Sequence, residues 1–85
     1  MTNETEVRKK IVEYVLANHV SRYTEETLPL DESLVELGVM DSYGVVELVD
    51  FLERAWSIKI ADAEITREKM GSVNRMCRLI LEKTG

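Results

Sequence analysis

Apolar residues return at helical spacing in three separate stretches of this 85-residue chain, and the segments between them lose that rhythm. Val7, Ile11, Val12, Val15 and Leu16 share one face of a first helix that the spacing carries to about Val20. Asn3, with Glu6 three residues later, opens it as a variant of the capping box. Val45, Leu48, Val49, Leu52 and Trp56 make a second continuous stripe, in a helix that begins at Asp41 or Ser42. Val73, Met76, Cys77, Ile80 and Leu81 make the third, with Ser72 as its cap.

The intervening segments are read by what interrupts them. Ser21 to Met40 holds the only proline, Pro29, the polar run Asp31-Glu32-Ser33, and Gly38, so it is a long loop. Leu28, Leu30, Leu34, Val35 and Leu37 let it pack down, with one helical turn around Ser33 to Leu37 stopped by Gly38. Ser57 to Ile60 alternates briefly and reads as an extended connector. Asp62 to Arg67 has room for one short helical turn, with Ala63 and Ile65 turned inward. The fold class expected is therefore all-α: a small four-helix bundle of three main helices plus one short helix, with a long loop between helices 1 and 2. Residues 1–85 are expected to make a single domain without internal repeats.

Charge narrows the partners. Sixteen acidic side chains against eleven basic ones leave a formal net charge of −5, which repels nucleic acid and anionic lipid and favours partners with basic patches. A lone cysteine, Cys77, and a lone histidine, His19, give too few soft ligands for a zinc site and no catalytic triad. Cys77 reads as an inert buried thiol, and His19 as a residue suited to the negative pole of the first helix. The acidic start, Thr2 to Glu6, shows no signal peptide, and no stretch approaches the ~20 apolar residues needed to cross a bilayer. A cytoplasmic monomer with no nucleic-acid or membrane partner is the expectation.

The chemistry concentrates at Asp41-Ser42. A serine at a helix start is exposed, and the backbone N–H groups there, with the positive end of the helix dipole, favour an incoming phosphate. Asp41 can cap the helix, and the bland reading is that the pair does no more than this. Tyr43 and Trp56 read as packing residues with a wet polar end, and Met40 and Met70 as gap fillers rather than walls of a groove. Arg54, four residues after Asp50, is placed for an intrahelical ion pair. A calcium loop over Asp31 to Ser42 fails, because Ser33 and Val35 are poor ligands and the glycine is misplaced.

The string Asp31-Glu32-Ser33-Leu34-Val35-Glu36-Leu37-Gly38, then Asp41-Ser42, then Val45-Val46-Glu47-Leu48-Val49 and Leu52-Glu53, resembles acyl carrier proteins and, more broadly, the phosphopantetheine carrier family. The resemblance implies that Ser42 carries a covalent 4'-phosphopantetheine arm derived from coenzyme A. Asp41 would then assist the transferase and its metal. It also implies partner docking through Glu47, Glu53 and Val46, with Tyr43 and Met40 flanking the site. The partners implied are a phosphopantetheinyl transferase, an acyl- or aminoacyl-activating ligase and downstream synthase or transferase enzymes. The chain itself would not be an enzyme.

Departures from fatty-acid carriers sharpen this. Tyr43 stands where leucine is usual, Gly44 and Arg54 stand near where acidic residues are often found, and two residues, Val39 and Met40, separate Gly38 from Asp41 instead of one. That spacing is similar to D-alanyl carriers, peptidyl carriers and stand-alone carriers of specialised pathways. The alternative from another class is an acidic helical adaptor that binds a basic protein without a prosthetic group.

Overall fold

The computed structural model describes residues 3–19 and 22–84, Arg67 by its backbone alone. Its elements run α1 (Glu4–Asn18), α2 (Ser42–Trp56), a 3-10 turn (Asp62–Glu64), α3 (Arg67–Met70) and α4 (Val73–Thr84). The described residues are helices and loops with no strand, so the chain is all-α, a small helical bundle.

Asn3 caps α1 by accepting from the N–H groups of Thr5 and Glu6. Val7, Ile11, Val12 and Val15 are buried on the face the spacing predicts. The helix ends at Asn18, where His19 turns extended (φ −131°, ψ 125°). Val20, where the pattern placed the end, lies outside the described residues.

α1 packs chiefly on α4. Val73, Met76, Cys77, Leu79 and Ile80 of α4 are buried, so Leu79 joins the core in place of Leu81, which is only half-buried. Each fully buried aliphatic side chain contributes about 1.5–3 kcal/mol through lost apolar hydration. Ser72 begins α4 as predicted: its Oγ accepts from the Arg75 N–H at 3.2 Å. Burial pushes the Cys77 thiol above its ordinary value, which keeps it in the unreactive protonated form.

The long loop is held at its far end by one side chain. Asn74 accepts from Arg8 Nε (2.9 Å), donates to Asp31 Oδ1 (2.8 Å), and its backbone N–H donates to the Leu30 carbonyl (3.0 Å). Loop, α1 and α4 are thereby joined at one point. The turn predicted around Ser33 to Leu37 forms: the Leu37 N–H donates to the Ser33 carbonyl, and Gly38, at φ 76°, ends it in the left-handed region. The Leu34 N–H then donates to the Gly71 carbonyl, which fastens this turn to the start of α4.

The segment after α2 differs from its sequence reading in one respect. Where a single turn over Asp62 to Arg67 was expected, a 3-10 turn and the four-residue α3 form instead, and Ala63 faces solvent while Ile65 is half-buried. The cause is the Glu64 carboxylate, which reaches back to the Ala61 N–H (2.9 Å) and across to Lys83 Nζ (2.8 Å), closing the first turn upon itself.

Candidate functional site

The start of α2 is set by its cap. Asp41 is extended (φ −107°, ψ −173°), and its Oδ1 accepts from the Gly44 N–H at 2.9 Å, while its carbonyl accepts from Val45. A carboxylate is well suited to that place, since it answers an orphan donor and faces the positive end of the helix dipole. The N–H groups of Ser42 and Tyr43 precede the first intrahelical bond and have no acceptor within the helix. Ser42 itself is exposed. An exposed hydroxyl, two outward N–H groups and a fixed first turn can accept a phosphoryl-linked group and stabilise its negative charge.

The first turn is also seated from below. A Cβ at Gly44 would lie 2.8 Å from His19 Cε1 and 3.0 Å from Met40 Cβ, so only glycine lets the end of α1 approach α2 this closely. His19 is the C-cap of α1, at the negative pole as the sequence suggested, and it is also half-buried. Its ring lies against the turn that carries Ser42, edge-on to Tyr14 at 6.4 Å, and its Nε2 is buried with no hydrogen-bond partner among the described residues. Neither residue was legible as a pair, because they lie 25 positions apart in the sequence.

Exposed apolar side chains lie beside Ser42 on α2. Tyr43 (72% exposed), Val46 (64%) and Val35 (49%) are the exposed large apolar side chains among the described residues. Tyr43 is thus a surface aromatic and not a packing residue: it falls off the buried stripe of Leu48, Val49 and Leu52. Trp56 does pack, half-buried, edge-on to Phe51 at 6.1 Å and beneath Lys10 Nζ at 5.8 Å.

The remaining site residues divide. Glu47 is exposed, and Asp50 pairs with Arg54 at 3.3 Å on the open surface, worth a few tenths of a kcal/mol. Glu53 is not an open surface carboxylate: its Oε2 accepts from the Ile60 N–H at 2.8 Å and anchors the chain after α2. That bond works with Ser57, which closes the helix in the left-handed region (φ 54°). Met40 points inward, 7% exposed, as does Met70. Both border an apolar cavity of about 280 Å³ that also touches Leu34, Val45, Leu48 and Ile65. The two methionines fill the interior and also line this cavity, which leaves Tyr43, Val46 and Glu47 as the exposed side chains on the α2 surface after Ser42.

Among the described residues, no three potential ligands gather as a metal site, and no helix is long and apolar enough to cross a membrane. No family model matches the chain. It is 40% identical to the D-alanyl carrier protein of Streptococcus uberis over 52 residues, which cover 61% of this chain and 66% of that protein. Against the D-alanyl carrier protein of Streptococcus equi subsp. zooepidemicus the identity is 38% over 53 residues, covering 62% and 67%. With that of Streptococcus pyogenes serotype M5 it is 36% over 53 residues. The aligned stretch thus spans about two thirds of each relative. A chain from a crystal structure of an FAD-dependent dehydrogenase shares the fold, with a TM-score of 0.69 over 84% of this chain and 99% of that one, at 24% identity.

Proposed function

From the premise that this chain belongs to the stand-alone carrier protein family, we propose that Ser42 is the attachment point of a 4'-phosphopantetheine arm. The observation that carries the proposal is the site itself. Ser42 is exposed on the first turn of a helix capped by Asp41, with Tyr43 and Val46 bared beside it.

A phosphopantetheinyl transferase would supply the base and the magnesium ion. The Ser42 Oγ–phosphorus bond forms as the phosphoanhydride of coenzyme A breaks, adenosine 3',5'-bisphosphate leaves, and the hydroxyl proton passes to the transferase. Asp41 keeps the first turn in place and adds a carboxylate near the transferring phosphate; the Ser42 and Tyr43 N–H groups offset the new negative charge. The arm supplies a terminal thiol for thioester chemistry. The chain performs no reaction alone: the Asp41 carboxylate is engaged in capping the helix, and the base that activates Ser42 comes from the transferase.

Cargo is then an acyl or aminoacyl thioester, with the aminoacyl class favoured by the relatives and by the two-residue spacing Val39-Met40. An acyl- or aminoacyl-activating ligase loads it and downstream synthase or transferase enzymes receive it, docking on Tyr43, Val46 and Glu47. Met40 and Glu53 act on that surface from behind, by fixing the turn before α2 and the segment after it. The working form is a cytoplasmic monomer. Exposed charge makes each docking modest in strength and sensitive to salt.

Incubation with coenzyme A, magnesium and a broad-specificity transferase tests the proposal. Wild type gains the mass of one phosphopantetheine and Ser42→Ala gains none; an equal gain in both proteins would overturn the assignment.

A further inference from the structure

His19 is not the residue that stability alone would place where it stands. Its backbone N–H closes α1 on the Val15 carbonyl at 3.0 Å, and its ring leaves the helix to lie on the first turn of α2. The Cε1 edge meets that turn at the bare backbone of Gly44, beside Met40. Nε2 is shut off from solvent and has no hydrogen-bond partner among the described residues. A buried nitrogen without a partner destabilises the folded state, and an apolar side chain of similar length would fill the space without that cost. A polar atom kept in such a place calls for an explanation outside stability, and a need for movement at a working site supplies one.

The same turn is fastened from its other side by Asp41. The Asp41 Oδ1 accepts from the Gly44 N–H at 2.9 Å and stands 3.5 Å from the point where a Gly44 Cβ would lie. Cap and seat therefore act on one residue, two positions after Ser42. When the Asp41 carboxylate turns toward a transferring phosphate, its bond to Gly44 loosens and the turn is left to its seat on His19. That seat yields readily, because Nε2 gains a partner in solvent or on the transferase as the turn lifts.

We propose that His19 is a positioning residue for the modification of Ser42: it seats the first turn of α2 in the free chain and lets that turn shift while the arm is transferred. It acts on the serine through Gly44, not at the reacting atoms. The inference rests on the reading of Ser42 as the attachment point, but one arm of its test does not.

His19→Met and His19→Gln, made in the full chain, place side chains of equal length there, one apolar and one polar. Transfer from coenzyme A with magnesium and a broad-specificity transferase gives kcat and KM for each chain. Amide hydrogen exchange on the unmodified chains reports opening of the first turn at Gly44 and Val45, whose N–H groups bond to Asp41. His19→Met should raise the thermal midpoint, slow exchange at these two amides at least fivefold with little change at Ile80, and lower kcat at least fivefold with KM within twofold. His19→Gln should keep kcat and both exchange rates within twofold of wild type. A kcat that follows the thermal midpoint across the variants, a wild-type kcat in His19→Met, or an equal fall in His19→Gln would overturn the proposal. If wild type accepts no arm, the attachment reading fails, and the exchange rates alone decide whether His19 governs the turn.

Discussion

α4 and α2 are amphipathic helices of 12 and 15 residues, and they use their apolar side chains differently. On α4, Val73, Met76, Cys77, Leu79 and Ile80 all enter the core against α1, and the exposed side is polar. α2 buries Leu48, Val49 and Leu52 but leaves Tyr43 and Val46 in water, and its first turn is held by a cap and by the fit of Gly44 on His19. α4 thus commits its apolar side chains to the core, whereas α2 divides its own between the core and the open surface beside Ser42. The surface around Ser42 is free to keep apolar groups that a partner can cover, because the fold does not depend on burying them.

Paired truncations should break or confirm this division. Ile80→Ala removes a fully buried side chain and should cost about 2–5 kcal/mol, a large part of the stability of a domain this size. Val46→Ala should stay within about 0.5 kcal/mol, as surface changes do. Urea denaturation at constant m-value measures both, and a similar loss in the two variants would end the comparison.

A smaller effect sharpens the account of the first turn. Gly44→Ala brings helix propensity worth about 1 kcal/mol but meets His19 and Met40, and overpacking costs about 1–3 kcal/mol, so the net result should be a destabilisation of about 1 kcal/mol. In a His19→Ala background the ring is gone and the same change should become neutral or stabilising. Additive effects in the double-mutant cycle would show that His19 does not seat the turn.

The smallest effect lies away from Ser42, where Lys83 holds the Glu64 carboxyl below the ordinary carboxylate range, helped by the Ala61 N–H. A carboxyl whose folded value is lowered stabilises fully above its unfolded value, about 4.3, and loses that contribution as pH falls through the lowered folded value. Glu64→Gln should flatten the acid limb of the stability profile in that window and leave the neutral plateau of the pH dependence otherwise similar in shape. An unchanged acid limb would mean that the pair contributes nothing.

Much of the fold was legible because its main helices are long and strongly periodic. Asn3, Ser72 and Gly38 marked their turns through cap chemistry that needs only neighbouring residues. The segment from Asp62 to Met70 was less legible because a few residues carry too little period to separate one turn from two. Tyr43 was misread for want of a phase argument: with Val46, Glu47, Asp50 and Arg54 it lies at i+3, i+4, i+7 and i+11 on the face opposite the stripe, which the spacing alone could have shown. The place of His19 at the end of α1 was legible, but its contact with α2 and the bond made by Glu53 were not. Their partners, the Ile60 N–H and Gly44, are supplied by chain paths that no local pattern encodes.

The central claim is that Ser42, and no other hydroxyl, accepts the arm. Peptide mapping by mass spectrometry after incubation with coenzyme A, magnesium and a transferase tests it most directly. The account predicts a single phosphopantetheine on the peptide containing Asp41-Ser42-Tyr43; an adduct on any other residue, or none on a folded wild-type chain, would contradict it.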